Sequence, residues 1–269
     1  MIRAAIIGVS GRMGQALVRA AAEIPGLSIV SAVASATSSA VGKDAGELAG
    51  RGAIGVRVTK DLPAALAQAD VAIDFSNAHA TESNLTACRQ ARKPLLIGTT
   101  GFPTALTAAF DAAANDIPLL VAPNTSVGVT LLIELVREAA RALPSQFDIE
   151  IVEAHHRMKR DAPSGTALAL GRAAAEGRNQ PFDGSHATVH QGGVPRRDGE
   201  IGFAVVRGGD IVGEHAVLFA GMGESLTLGH RATDRAIFAR GALQAAAWLA
   251  PRSPGRYFMR DLVAYKSGS

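Results

Sequence analysis

The chain has 269 residues, 48% hydrophobic but only 4% aromatic, and carries a formal net charge of +3 at pH 7. That length supplies core for one large domain or two modest ones, and the small, dispersed charge excess with few stacking residues argues against a nucleic-acid binder. Cys88 is the single cysteine, which excludes an internal disulfide and a cysteine-based metal cluster. No apolar run approaches the about 20 residues that span a bilayer, and the N-terminus has no signal-peptide layout, so the expected setting is the cytoplasm.

Residues 2–7 form an apolar run that breaks into Gly8-Val-Ser-Gly-Arg-Met-Gly14. An amphipathic stretch at 15–23 follows, then Pro25-Gly26 and a second apolar run at 27–33. Strand, glycine turn, helix, strand is the opening of a doubly wound α/β fold. Short buried strands are predicted at 71–75, 94–97 and 118–121, with helices at 62–68, 80–91 and 104–115. The loops at 76–77, 98–101 and 123–126 follow strand ends, where ligands sit in open parallel sheets.

The stretch 127–143 reads as one long helix ended by Pro144, and 148–153 then alternates polar and apolar like a strand with one wet face. After a helix opened by Pro163-Ser164-Gly165-Thr166 come strand-like runs at 187–191, 201–206, 215–220 and 224–230. Helices are scarce there, which predicts an α+β domain with a mostly antiparallel sheet. Residues 179–200 are the most loop-like, and 234–249 is again helical. The expected organisation is a Rossmann-like dinucleotide-binding domain from 1–126 and 234–269, with a substrate-binding and oligomerisation domain at 127–233.

Gly8, Gly11 and Gly14 are a variant of the dinucleotide fingerprint, which needs a tight turn, close backbone approach to pyrophosphate, and a small residue where helix meets sheet. The ribose-binding acid expected about 20 residues on is missing, since the second strand ends Val33-Ala-Ser-Ala-Thr37. A site without that carboxylate does not repel a 2′-phosphate, and Arg12 and Lys43 are cations for one. The expected cofactor is NADPH or NADH, leaning weakly to NADPH.

Glu153-Ala-His-His-Arg-Met-Lys-Arg-Asp-Ala-Pro-Ser-Gly-Thr166 joins two histidines, fixed cations and a helix start. Imidazole moves protons near neutral pH, and cations with helix N-terminal N–H groups attract carboxylate or phosphate. Ser164 is placed to cap the helix, with Gly165 and Thr166 presenting N–H groups and a hydroxyl. If His155 and His156 continue a strand, they face opposite ways and one of them is a packed structural histidine. The cations have an equally plain reading as a solvated loop, and Arg196-Arg197 forms a second basic cluster that also suits an anionic small molecule. No metal is expected, because the spacing lacks an H-E-x-x-H or Cys/His pattern. His79, His186, His190, His215 and His230 read as structural or surface residues, and neither Ser126 nor Ser164 sits in a nucleophile elbow.

The stretches Gly8–Gly14, Asp44–Gly50, Ile97–Phe102, Asn124–Gly128, Glu153–Arg157, Lys159–Thr166, Ile201–His215 and Tyr257–Leu262 closely resemble bacterial dihydrodipicolinate reductases, in order along essentially the whole chain. The resemblance implies NAD(P)H-dependent reduction of 4-hydroxy-tetrahydrodipicolinate in the diaminopimelate/lysine pathway, by a homotetramer joined through the sheets of its second domain. It implies His155 as general acid/base and Lys159 as proton donor, with His156, Lys159, Ser164, Gly165 and Thr166 at the substrate carboxylates. For the cofactor it implies Gly8, Val9, Ser10, Gly11, Arg12 and Met13; Gly98, Thr99 and Thr100; and Ala122, Pro123, Asn124 and Thr125. Ala34 and Ser35 complete that set at the ribose site, where the best-known members carry an acid and an arginine. Two other readings stay open: a different nicotinamide-dependent imine or amino-acid dehydrogenase on the same plan, and a dinucleotide-sensing protein without chemistry.

Overall fold

The first apolar run forms β1 (Ile2–Ile7), buried from Ala4 onward. The computed structural model describes residues 1–182 and 195–267, which fold into two units, 1–127 with 236–267 and 128–182 with 195–235. In the first unit β1 leads to α1 (Arg12–Ala20), β2 (Leu27–Val33), α2 (Ala45–Leu48) and β3 (Val58–Thr59). Next come α3 (Leu62–Gln68), β4 (Val71–Asp74), α4 (Thr81–Gln90), β5 (Leu95–Ile97), α5 (Leu106–Ala114) and β6 (Pro118–Val121). β4 and β5 are buried on both faces, which is why they read as continuous apolar runs rather than alternating ones. α3 starts where Asp61 accepts the Ala64 N–H and Pro63 fills the first turn. α1 begins three residues earlier than its amphipathic pattern suggests, with Gly14 inside it.

The segment between β2 and β3 is organised by Asp44. Its carboxylate accepts the Gly46 and Glu47 N–H groups at the start of α2 and those of Ile54 and Gly55 across the loop. These bonds, the one from Ile54 foremost, hold the Asp44 carboxyl below the ordinary range.

In the second unit α6 (Val127–Ala142), of which all but the first residue belongs here, is followed by β7 (Asp148–His155), α7 (Gly165–Gly177), β8 (Ile201–Arg207), β9 (Gly213–Ala220) and β10 (Ser225–Ala232). The strands form one sheet in the order β10-β9-β7-β8. It is mostly antiparallel, but β7 and β8 run parallel, since the long connection through α7 returns the chain in the same direction. Leu132, Val136, Leu170 and Ala174 of the helices pack with Ile149, Ile151, Phe203, Val217 and Phe219 of the sheet. The opposite face leaves Val152 and Val206 40% and 48% exposed. The strand expected at 187–191 lies outside the described residues. The expected anionic ligand for the 196–197 cluster is corrected at Arg196, whose guanidinium pairs with Asp148 and Glu150 of β7 and donates to the Ile149 carbonyl, fixing the edge of the sheet instead.

The chain then returns to the first unit with α8 (Ala236–Leu249), β11 (Gly255–Tyr257) and α9 (Met259–Ser267). The seven-stranded sheet has the order β11-β6-β5-β4-β1-β2-β3, all parallel. β3-β2-β1-β4-β5-β6 is the doubly wound order, with its switch point between β1 and β4. This is a Rossmann-like α/β sheet, accompanied in the second unit by an α+β sheet. α8 buries Ala239, Ala242, Leu243 and Ala246, and it bears on the loop after β6: the Thr125 hydroxyl donates to the Phe238 carbonyl at 2.6 Å. Among the described residues no helix is long and apolar enough to cross a membrane.

Candidate active site

In the first unit the expected cofactor segments leave the carboxyl ends of neighbouring strands: residues 8–13 after β1, 34–35 after β2, 98–100 after β5 and 122–125 after β6. The turn after β1 is fastened by the Gly8 and Val9 N–H groups on the Val33 carbonyl at 2.9 and 3.1 Å. Gly8 has φ +87°, and a Cβ there would lie 2.7 Å from the Phe75 carbonyl oxygen. A Cβ on Gly14 would lie 2.3 Å from the Gly8 oxygen. Gly11 is the N-cap of α1 and makes no side-chain cap, which leaves the first N–H groups of that helix without a capping side chain. Ala34 is buried, whereas Ser35 is exposed with its hydroxyl 2.9 Å from that of Thr37. Buried Asp74, at the end of β4, accepts the Ser76 N–H at 2.8 Å and the Asn84 amide at 3.0 Å, and its carbonyl accepts the Gly98 N–H at 2.9 Å.

In the second unit the site grows from the end of β7. Ile149, Ile151, Glu153 and His155 occupy its buried face, so His155 points inward while His156, just past the strand, is half-buried. Glu153 is fully buried, and its carboxylate accepts both Arg207 Nη atoms at 2.9 and 2.8 Å, His155 Nδ1 at 2.5 Å and the Ser164 N–H at 3.0 Å. Burial opposes the charge on Glu153, but the Arg207 fork, His155 and the Ser164 N–H outweigh it and hold the carboxyl below its ordinary range. Burial foremost lowers the His155 pKa despite the Glu153 carboxylate, which favours the uncharged ring. Lys159 Nζ pairs with Asp161 at 2.9 Å.

Ser164 caps α7, its Oγ accepting the Ala167 N–H at 3.2 Å. Gly165 is exposed at the first helical position and a Cβ on it would meet nothing within 4 Å, while Thr166 follows half-buried. His215 of β9 lies opposite Glu153 in the sheet, its Nε2 3.0 Å from Ser164 Oγ and its ring edge-on to His155 at 5.1 Å. Ligand-type atoms of Glu153, His155 and His215 lie within 4.8 Å of one another, but both Glu153 oxygens are engaged by Arg207, which makes the trio a hydrogen-bond hub rather than a ready metal set. His156 and Lys159 therefore lie on the connection between β7 and α7, and Gly165 and Thr166 on the first turn of α7, a helix start that suits an anion.

The sequence profile described as "Dihydrodipicolinate reductase, N-terminus" matches residues 2–125, and the one described as "Dihydrodipicolinate reductase, C-terminus" matches 128–263. The chain belongs to the dihydrodipicolinate reductase family. A 4-hydroxy-tetrahydrodipicolinate reductase of Alkalilimnicola ehrlichii is 52% identical, covering 97% of this chain and 98% of its own. One of Anaeromyxobacter dehalogenans is 48% identical over the full length of both chains. The dipicolinate-bound dihydrodipicolinate reductase of Paenisporosarcina sp. TG-14 superposes with a TM-score of 0.77 at 26% identity, covering 96% of this chain and 97% of that one. An amine dehydrogenase of Mycobacterium smegmatis shares the fold alone, with a TM-score of 0.61 at 17% identity and 96% and 95% coverage.

Within this reductase family frame, three residues of the hub escape the sequence reading: Glu153, Arg207 and His215. His215, expected to be structural or surface, is buried, and β9 pairing carries it against Ser164. Burial foremost lowers its pKa to about 4. Between that value and the ordinary 6.5, the unfolded chain binds a proton that the folded chain refuses. The associated stability is therefore complete above 6.5 and is lost as pH falls towards 4. Urea unfolding from about pH 7 to about pH 4 is expected to lose about 2–3 kcal/mol through this group. His215→Asn is expected to flatten that slope, and an unchanged slope would contradict the assignment.

Proposed function

We infer that this protein is an NAD(P)H-dependent 4-hydroxy-tetrahydrodipicolinate reductase of diaminopimelate and lysine biosynthesis, working in the cytoplasm. The observation that carries this reading is 52% identity over nearly the whole of both chains to a relative of that name. The dipicolinate on the Paenisporosarcina relative supports a small dicarboxylate substrate here.

The first unit has the features a dinucleotide requires. Gly8 and Gly14 occupy positions that a Cβ would fill with backbone clashes, and the N-terminus of α1 opens beside them. Residues 8–13, 34–35, 98–100 and 122–125 hold the cofactor in this reading. Bound nicotinamide supplies the hydride. His156, Ser164, Gly165 and Thr166 bind and orient substrate carboxylates, using the positive end of a 13-residue helix. Lys159 binds and delivers the proton that completes the reduction, and His155, with Nδ1 turned to Glu153, offers Nε2 as the proton-handling atom.

Lack of a carboxylate at Ala34 and Ser35 favours NADPH, with Arg12 and Lys43 as exposed cations for its 2′-phosphate. The deciding assay follows NADPH and NADH oxidation with substrate made freshly from pyruvate and aspartate semialdehyde by the preceding synthase. Turnover with a higher kcat/KM for NADPH is expected. Equal values would remove the preference, and no turnover from folded, dinucleotide-binding protein would shift the reading to another imine or amino-acid dehydrogenase.

The family's homotetramer is proposed here through the uncovered sheet face that carries Val152 and Val206. Val206→Glu is expected to lower the mass seen by light scattering from four chains to fewer. A tetramer that persists would move the interface elsewhere.

A further inference from the structure

We propose that Glu153, fixed by Arg207, is a positioning residue that sets the tautomer of His155 and ties it to the start of α7. Each carboxylate oxygen of Glu153 takes two donors: Oε1 takes Arg207 Nη2 at 2.8 Å and the Ser164 N–H at 3.0 Å, and Oε2 takes Arg207 Nη1 at 2.9 Å and His155 Nδ1 at 2.5 Å. An ionised carboxylate only accepts, so Nδ1 carries a proton, and in the uncharged ring Nε2 then keeps its lone pair. Arg207 Nη2 also donates to the Asp161 carbonyl at 2.7 Å, on the loop that leads from Lys159 to Ser164. Ser164 in turn caps α7 and meets His215 at 3.0 Å. One buried anion thus holds the proton-handling ring and the carboxylate-binding helix start in a single register. Such supporting groups orient a functional histidine; around metal-bound histidines their change costs roughly 10- to 100-fold in affinity or activity, and a loss of that order is expected here.

Glu153→Gln separates this role from mere packing, because an amide has one accepting and one donating end. With its oxygen at the Oε1 place, kept by Arg207 Nη2 and the Ser164 N–H, its NH2 takes the Oε2 place: Arg207 Nη1 loses that acceptor, Nδ1 must then accept, and the ring proton moves to Nε2. The test is nitrogen NMR of protein labelled with 15N-histidine, with the His155 signals assigned from their loss in His155→Gln. Wild type is expected to show Nδ1–H near neutral pH, and Glu153→Gln to show Nε2–H. Turnover is expected to fall roughly 10- to 100-fold in Glu153→Gln with the substrate KM within about threefold, and Glu153→Asp to restore the wild-type tautomer. Wild type with its proton on Nε2 would overturn the proposal whether or not any variant folds. So would a Glu153→Gln protein with unchanged tautomer and turnover. The kinetic arm rests on the reductase reading, but the tautomer arm needs no substrate. A wild type without turnover therefore counts against that reading alone.

Discussion

Lys159→Ala is expected to lower kcat roughly 100- to 10,000-fold, the range of a lost proton donor, while NADPH affinity by calorimetry stays within about twofold. Lys159 lies in the turn after β7, where its N–H donates to the His156 carbonyl at 3.1 Å and its side chain is only 21% exposed, the ammonium paired with Asp161. The residue belongs to the second unit, so its removal leaves the glycine turn and strand-end loops of the first unit intact. Lys159→Arg sharpens the test. Arginine keeps the charge for a substrate carboxylate but does not release a proton in proteins. It is therefore expected to recover much of the KM and little of the kcat. Full recovery of kcat by arginine would make Lys159 a carboxylate contact only and place proton delivery at His155.

How far such roles are legible without coordinates depends on the range of the interactions that create them. β1 ends before Gly8, β2 begins after Pro25-Gly26, β6 begins at Pro118 and α3 opens on Leu62-Pro63, because these are local rules of backbone geometry. β3 and β11 hold only two and three residues, too few for any periodicity, and exist because β2 and β6 offer them a partner. Glu153 does leave a signal. Ile149 and Ile151 fix the buried phase of β7, and two residues on that phase brings in a carboxylate while Val152 is turned out. Arg207 and His215 leave none, since they reach Glu153 and Ser164 through sheet pairings 54 and 51 residues away in sequence. The motif residues at 155–166 are readable because a strand end, a tight turn and a helix cap sit within one short segment. Arg196 shows the opposite case: a basic pair in sequence becomes an ion pair once β7 supplies Asp148 and Glu150.

Gly14→Ala sets two effects of opposite sign against each other. Inside a helix, alanine is favoured over glycine by about 1 kcal/mol, so propensity alone predicts a more stable α1. The new methyl, however, would stand 2.3 Å from the Gly8 carbonyl oxygen and 2.5 Å from Val9 Cα, and both are backbone atoms. Neither can yield without lifting the turn off the Val33 carbonyl, to which Gly8 and Val9 are bonded. Overpacking against such rigid neighbours costs about 1–3 kcal/mol or more, so the clash outweighs the propensity gain. The variant is expected to melt below wild type and, on the proposed cofactor site, to bind NADPH at least about tenfold more weakly, since there the displaced turn is the one that approaches the pyrophosphate. Gly11→Ala supplies the comparison: its methyl would meet only the Gly8 oxygen, at 3.3 Å, so a smaller loss of both stability and affinity is expected. Wild-type NADPH affinity in Gly14→Ala would mean that the dinucleotide does not depend on this turn, and the cofactor would then have to rest on the loops after β5 and β6.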